Sequence, residues 1–155
     1  MQAVIFGASG GIGRALTLQL AARPDITRVH AASRSSAPSG PKIVPHIADI
    51  TNESDLAALA ATLKTEGQID LVLVATGLLS NDQNLKPEKS YRHQSLEAFE
   101  QVFRVNTFGP ALVAKHVLPL MPRRGRAVFA ALSARVGSIS DNRLGGWHAY
   151  RASKA

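Results

Sequence analysis

A glycine-rich turn near the start of the chain limits the possible folds more than any other feature. Residues 7–13 read Gly-Ala-Ser-Gly-Gly-Ile-Gly, and they follow an apolar run from Gln2 to Phe6. A segment with helical spacing, Gly11 to Ala22, begins within the turn. The apolar run predicts a short buried strand, so the turn leads from a strand directly into a helix. In that context the N–H groups at the helix N-terminus can bind the pyrophosphate of a dinucleotide.

Strand and helix patterns alternate along the rest of the chain. Ile12, Leu16 and Leu20 would fall on one face of the first helix. The other predicted elements are strands at 28–33, 43–48, 70–75 and 126–132, helices at 52–66 and 96–121, and a final helix that begins near residue 147. Gly109 and Pro110 are unfavourable inside a helix, so we expect the long helix to be broken between 106 and 110. The alternation predicts an α/β fold, a doubly wound parallel sheet of the Rossmann type, in a single domain over residues 1–155.

Composition narrows the classes of function. The 155 residues are 45% hydrophobic and 19% charged, which is typical of a globular protein. There is no cysteine, and the five histidines show no ligand spacing, so we expect no disulfide and no metal site. We recognise no signal peptide or membrane span, and we expect a cytoplasmic protein with no membrane partner.

The net charge of +7 favours ligands that carry phosphate. The basic residues cluster at Arg123, Arg124 and Arg126, where no aromatic residue lies between them. A nucleic-acid partner is therefore not expected.

Ser33 and Arg34 end the second predicted strand, where an enzyme that binds NAD often carries an acidic residue for the ribose 2′-hydroxyl. Serine can donate a hydrogen bond to a 2′-phosphate, and arginine can bind its oxygens in a bidentate way. The missing acid and Arg34 favour NADP(H), with NAD(H) as the less favoured cofactor. The alternative is that Arg34 is one of many solvated surface arginines.

Tyr150 and Lys154 are four residues apart, which places them on one face of the last helix. Ser133 lies 17 residues before Tyr150, just after the fifth predicted strand, and Asn106 lies within the long helix. Each of these residues alone also has an ordinary explanation: a solvated helix face, a turn-forming serine, or an asparagine that caps a helical segment.

Taken in order along the whole chain, these motifs resemble the short-chain dehydrogenase/reductase family. The segment Leu132 to Ala155, and above all residues 137–142, looks like the C-factor and sniffer-type carbonyl reductase branch. The resemblance implies that Tyr150 donates a proton to a carbonyl oxygen. It also implies that Lys154 favours the phenolate and holds the nicotinamide ribose. Ser133 would bind the substrate oxygen, and Asn106 would support a water in a proton path to the lysine.

The same resemblance implies a set of cofactor-binding residues: Gly7, Ser9, Gly11, Ile12, Gly13, Ser33, Arg34, Asp49, Ile50, Gly77, Tyr150 and Lys154. Within this set, Asp49 and Ile50 would hold the adenine ring. Two positions depart from the family pattern. Phe6 stands where many members have threonine, and residues 74–77 read Val-Ala-Thr-Gly instead of Asn-Asn-Ala-Gly. The end of the fourth strand must therefore be braced in another way.

The resemblance implies an NADP(H)-dependent oxidoreductase that interconverts a carbonyl and an alcohol on a small molecule, and a homo-oligomer for the full-length form. One alternative is a non-catalytic, dinucleotide-binding regulator or signalling protein, whose mark would be the loss of Ser133, Tyr150 or Lys154. A second alternative is an inactive fragment of the enzyme. Family members continue beyond the lysine, so we expect the C-terminal part of the fold to be missing and the fifth strand to lie at an apolar sheet edge.

Overall fold

Five parallel strands form a single sheet in the computed structural model, which describes residues 1–155. The strands are β1 (Gln2–Phe6), β2 (Arg28–Ser33), β3 (Ile43–Ile47), β4 (Leu71–Val74) and β5 (Val128–Ala131). Their order in the sheet is β3-β2-β1-β4-β5, so the chain moves outward from β1 and then returns to its other side. This confirms the predicted doubly wound α/β fold. The direction of winding reverses between β1 and β4, where a cleft opens at the carboxyl ends of the strands.

Helices cover both faces of the sheet. They are α1 (Gly11–Ala22), α2 (Glu53–Glu66), α3 (Leu96–Phe103), α4 (Gly109–Val117) and α5 (His148–Lys154). Alternate residues of β1 point to opposite cores. Val4 and Phe6 pack with α2 and α4, whereas Ala3 and Ile5 pack on the face that also contacts Leu20 of α1. All four are fully buried, as expected for a strand covered on both faces. None of the helices combines the length and apolar character needed to cross a membrane.

The buried side of α1 differs from the predicted one. Ile12 is 62% exposed, Leu16 and Leu20 are half-buried, and the buried positions of the helix are Gly13 and Thr17. The first turn of α1 lies so close to the preceding strand that a Cβ atom on Gly13 would overlap the carbonyl oxygen of Gly7. Backbone-to-backbone contact therefore decides which side of the helix faces inward, and the apolar spacing does not.

The predicted break in the long helix is also wrong. Residues 96–120 form one continuous rod in which a π-helical turn, Arg104–Phe108, joins α3 to α4, and a 3₁₀ turn, Leu118–Leu120, follows. The N–H of Gly109 bonds to the carbonyl of Arg104, five residues earlier, so the helix absorbs an extra residue instead of ending. Pro110 is tolerated because it lies in the first turn of α4. Gly109 gives Ile50 the space that a Cβ would occupy.

Candidate cofactor and catalytic site

The turn after β1 presents backbone to the cleft. Gly7 has a φ of +81°, and its N–H and that of Ala8 donate to the carbonyl of Ala32 at 2.9 and 3.0 Å, which ties the turn to β2. No side chain caps α1 at Gly10, and a Cβ on Gly11 would meet no atom within 4 Å. The first N–H groups of a helix lack partners within it, so this end of α1 can accept an anion.

Two adjoining pockets form one groove along the carboxyl ends of the strands. The first has a volume of about 340 Å³, and its lining includes Gly7, Ser9, Ser33, Arg34, Asp49, Ile50 and Gly77. The second, of about 460 Å³, includes Gly11, Ile12, Gly77, Ser133, Tyr150 and Lys154. Both contain Gly10 and residues 75–77, so they meet beside the glycine turn. Gly13 lines neither pocket, because it serves the packing of α1 on β1.

Ser33 and Arg34, at the end of β2, differ in how available their side chains are to a ligand. Ser33 is only 4% exposed, and its hydroxyl donates to the carbonyl of Ser36 at 2.5 Å. Its hydroxyl hydrogen is thus engaged within the chain, whereas the sequence-based expectation was a donor to a phosphate. Arg34 is exposed at the rim of the first pocket and makes no hydrogen bond or ion pair within the chain. Its guanidinium is therefore free to donate to an anion at this point.

Asp49 and Ile50 lie side by side in the first pocket, after β3. One carboxylate oxygen of Asp49 accepts from both the N–H and the hydroxyl of Thr51, each at 2.8 Å, and this bond holds the turn in shape. The second oxygen takes no part in this turn. Ile50 is 5% exposed and packs where Gly109 leaves room. The pair thus offers a polar group beside an apolar surface.

Asn106, in the π-helical turn, braces the loop after β4. Its Oδ1 accepts from the N–H of Leu78 at 2.7 Å, and its Nδ2 donates to the carbonyl of Leu78 at 2.9 Å. Nδ2 also donates to the hydroxyl of Ser153 on α5 at 2.9 Å. This is the brace that the altered 74–77 segment requires. Both amide hydrogens are used within the chain, so the side chain has no free donor for the water expected from the sequence.

Ser133, Tyr150 and Lys154 line the second pocket together, as their order in the sequence predicted. The Ser133 hydroxyl donates to the carbonyl of Lys154 at 2.7 Å, and the Lys154 ammonium donates to the carbonyl of Leu132 at 2.7 Å. Burial lowers the pKa of Lys154 from its ordinary value. Tyr150 is half-buried, and its ring meets the edge of Trp147 at a centroid distance of 6.4 Å. The end of α5 is therefore joined to the end of β5 by two reciprocal hydrogen bonds.

Comparison with known proteins agrees with this geometry. The model of the short chain dehydrogenase family matches residues 1–155. The chain belongs to the short-chain dehydrogenase family.

Curated relatives in this family are longer than the chain. The 1-hydroxy-2-glutathionyl-2-methyl-3-butene dehydrogenase of Rhodococcus sp. (strain AD45) is 28% identical over 155 residues, which cover 98% of this chain and 64% of that protein. The 2-(R)-hydroxypropyl-CoM dehydrogenase of Xanthobacter autotrophicus is 30% identical over 165 residues, or 98% of this chain and 62% of the relative. The chain thus spans somewhat less than two thirds of each relative's length.

A solved structure shows the same fold. The NADPH-bound carbonyl reductase from chicken fatty liver superposes with a TM-score of 0.79 at 22% identity, covering 99% of this chain and 65% of that one.

Some residues of this short-chain dehydrogenase site were missed by the sequence analysis. Gln101, Arg104 and Val105, on the long helix, line the first pocket. Gln101 and Val105 are four residues apart and share one helix face, but spacing back from Asn106 leads to Val102 and so did not indicate that face. Thr76 lines both pockets, and its Oγ1 is buried without any hydrogen-bond partner. Buried hydroxyls are nearly always paired, so this one fits a polar ligand in the groove. The uncapped helix, the open space at Gly11 and this hydroxyl together fit a bound dinucleotide.

Proposed function

We propose that the chain forms the cofactor-binding and catalytic part of an NADP(H)-dependent oxidoreductase that interconverts a carbonyl and an alcohol. Within the family we assign it to the carbonyl reductases. The observation that supports this function most directly is the shared pocket of Ser133, Tyr150 and Lys154, which continues into the pocket beside the glycine turn. A bound nicotinamide supplies or accepts the hydride, and the protein provides position and electrostatics.

Tyr150 carries out the proton transfer. In reduction its hydroxyl donates a proton to the carbonyl oxygen, and the nearby Lys154 ammonium favours the phenolate that remains. The Ser133 hydroxyl keeps its lone pairs free while it donates to the carbonyl of Lys154. To hold a substrate oxygen it must rotate away from that carbonyl, so substrate binding is coupled to the end of α5.

Tyr150→Phe tests this function. We expect turnover of 4-nitrobenzaldehyde with NADPH to fall by about 10² to 10⁴-fold, because the proton donor is lost. The dissociation constant for NADPH should stay within twofold, measured by fluorescence titration. A variant that keeps most of its rate would contradict the assignment. A regulator would instead bind NADPH while the wild-type protein reduces none of a panel of aldehydes and ketones.

We assign NADP(H) as the preferred cofactor because Arg34 is unpaired at the rim of the first pocket and no acidic residue stands at the end of β2. A hydrogen bond to a charged group contributes about 1.5–3 kcal/mol, so Arg34→Ala should weaken NADPH binding at least tenfold. NADH binding should change little. Arg124→Ala, an exposed arginine near the opposite end of the sheet, serves as the control. Equal affinity of the wild-type protein for NADH and NADPH would refute the preference.

We also propose that the protein is a homo-oligomer. Leu96, Phe99 and Phe103 follow one face of α3, and Leu96 is 70% exposed. The ring of Phe108, 55% exposed, extends this row at 6.3 Å from Phe103. A contiguous apolar row of this kind favours association with a second copy. Light scattering after gel filtration should give a multiple of the chain mass, and Leu96→Glu should reduce it.

A further inference from the structure

Glu88 lies outside the residues so far assigned to the site, yet it holds the start of the helix that carries Tyr150. Its side-chain Oε1 accepts from the N–H of Ala149 at 3.2 Å. Its backbone carbonyl accepts from the N–H of Trp147 at 2.6 Å. Both donors belong to the first turn of α5 or the residue before it, where N–H groups have no partner within the helix.

The turn that leads into α5 has a strained backbone. Gly145, Gly146 and Trp147 have φ values of 63°, 65° and 52°, all in the left-handed region. For tryptophan this conformation costs about 1–3 kcal/mol, and it persists only where surrounding contacts enforce it. The backbone carbonyl of Glu88 accepts from the N–H of Trp147, so the backbone of Glu88 supplies one such contact.

Arg151 binds the backbone carbonyl groups of the same turn. Its guanidinium donates to the carbonyls of Gly146 at 2.9 Å and Gly145 at 3.1 Å. A third bond, to the carbonyl of Val136 at 3.0 Å, ties the turn to the segment that follows Ser133. Glu88 thus accepts hydrogen bonds from N–H groups at the start of α5, and Arg151 donates hydrogen bonds to the carbonyls that precede the helix.

Glu88 is itself rigidly placed. It is only 5% exposed, although carboxylates are seldom buried unless they are paired. Leu85, three residues earlier, packs with Val102 of α3 and Ala149 of α5 in a small separate core. A carboxylate at a helix N-terminus is also stabilised by the partial positive charge there. The segment that carries Glu88 is therefore packed against both α3 and α5.

We propose that Glu88 is a positioning residue for the proposed reaction, and that it sets the place of Tyr150 by capping α5. Tyr150 directly follows Ala149, whose N–H the carboxylate holds, and Lys154 lies one turn further along the helix. A shift in the start of α5 moves both side chains relative to the groove, and small misplacements of catalytic groups lower the rate strongly. This inference rests on the proposed function.

Two substitutions of Glu88 separate the loss of its hydrogen-bond acceptor from the loss of its negative charge. Glu88→Gln keeps an oxygen acceptor at the same place, whereas Glu88→Ala removes it. With NADPH and 4-nitrobenzaldehyde, we expect kcat to fall at least tenfold in Glu88→Ala and less than threefold in Glu88→Gln, while KM for NADPH stays within twofold in Glu88→Gln. Glu97→Ala, an exposed glutamate on α3, is the matched control and should behave as wild type. An unchanged kcat in Glu88→Ala would overturn the inference, and so would a similar loss in both variants.

Hydrogen exchange tests the contact without any substrate. Amides 149–153 should exchange at least tenfold faster in Glu88→Ala and at the wild-type rate in Glu88→Gln. If Glu88→Ala does not fold, Glu88→Asp, which is one methylene shorter, takes its place with the same expectation. Unchanged exchange overturns the inference alone, since the proposed function does not depend on it. A wild-type protein that binds NADPH but reduces no carbonyl overturns the proposed function, and faster exchange in Glu88→Ala would still establish that Glu88 holds α5.

Discussion

Three glycines in the turn after β1 have different structural requirements. Gly7 needs its positive φ of 81°, and a Cβ there would lie 3.0 Å from the side chain of Thr76. Gly13 has ordinary helical geometry but no space, because a Cβ would overlap the backbone of Gly7. Gly11 has neither constraint, since nothing lies within 4 Å of a Cβ built on it. The spacing of the glycines is thus set partly by the backbone and partly by helix packing.

Gly13→Ala and Gly11→Ala form a matched pair of substitutions in the same helical turn. Gly13→Ala should lower the free energy of unfolding by about 1–3 kcal/mol, because α1 must move away from β1 to accommodate the methyl group. Gly11→Ala should change it by less than about 0.5 kcal/mol, because the new methyl group meets no atom. Urea unfolding monitored by circular dichroism measures both. Equal effects on stability would contradict the packing role of Gly13.

The long helix shows how one element serves both the core and the site. Its π-helical turn adds a residue at 104–108 and includes Asn106, which is buried. From there the side chain reaches the loop after β4 and the hydroxyl of Ser153 on α5. A helix of this kind joins the two segments that flank the groove, and π-helical turns are frequent at functional sites.

Asn106→Asp should therefore be costly although the two side chains have the same shape. A carboxylate oxygen would face the carbonyl of Leu78, which accepts from Nδ2 in the native protein at 2.9 Å. We expect stability to fall by about 1–3 kcal/mol, the typical cost of a buried group left without its partner. Asn84→Asp, at an exposed position in the loop after β4, should change stability by less than about 0.5 kcal/mol. Thermal unfolding of both variants at pH 7 tests this, and similar melting temperatures would exclude the bracing role.

The sheet buries a chain of polar side chains that crosses three of its strands. His30 of β2 is fully buried, and its Nδ1 lies 3.0 Å from the Nε2 of His46 on β3. Its Nε2 lies 3.2 Å from the Oε1 of Gln2 on β1. The amide oxygen can only accept, so His30 donates from Nε2 and accepts at Nδ1. A second proton on His30 would point at the hydrogen of His46, so the sheet holds His30 in its neutral form.

Acid should consequently destabilise the whole fold through this residue. Burial, with smaller contributions from the charges of His46 and Arg28, lowers the pKa of His30 to about 4. An unfolded histidine titrates near 6.5, so between pH 6.5 and about 4 the unfolded chain binds more protons. Stability is fully present above pH 6.5 and declines on acidification by at most about 1.4 kcal/mol per pH unit. Urea unfolding at pH 4.5 to 7.5 should show a flatter profile for His30→Gln than for the exposed control His93→Gln. Identical slopes would contradict this assignment.

The sequence by itself was sufficient for the order of strands and helices, the parallel sheet and the gathering of Ser133, Tyr150 and Lys154 around one pocket. The strands, helices and sheet depend on local signals, namely apolar runs and glycines at a turn, whereas the grouping of the three side chains was implied by the family resemblance. The inward side of α1 was not predictable, because backbone contact between Gly13 and Gly7 outweighs the apolar stripe. The continuity of the long helix was missed because Gly109, a residue unfavourable inside a helix, lies where Ile50, distant in sequence, leaves no space for a Cβ.

Several polar side chains have partners that the sequence did not indicate. The hydroxyl of Ser33 donates to the carbonyl of Ser36, three residues away, although its place next to Arg34 favoured a phosphate contact. Glu88 and Ala149 are 61 positions apart, and no local pattern relates them. Periodicity reports which residues are buried within one element, whereas the partner of a polar group is set by which elements meet in space. For this reason the sequence specifies the elements and the catalytic pattern, and only the folded chain specifies how α5 is held in place.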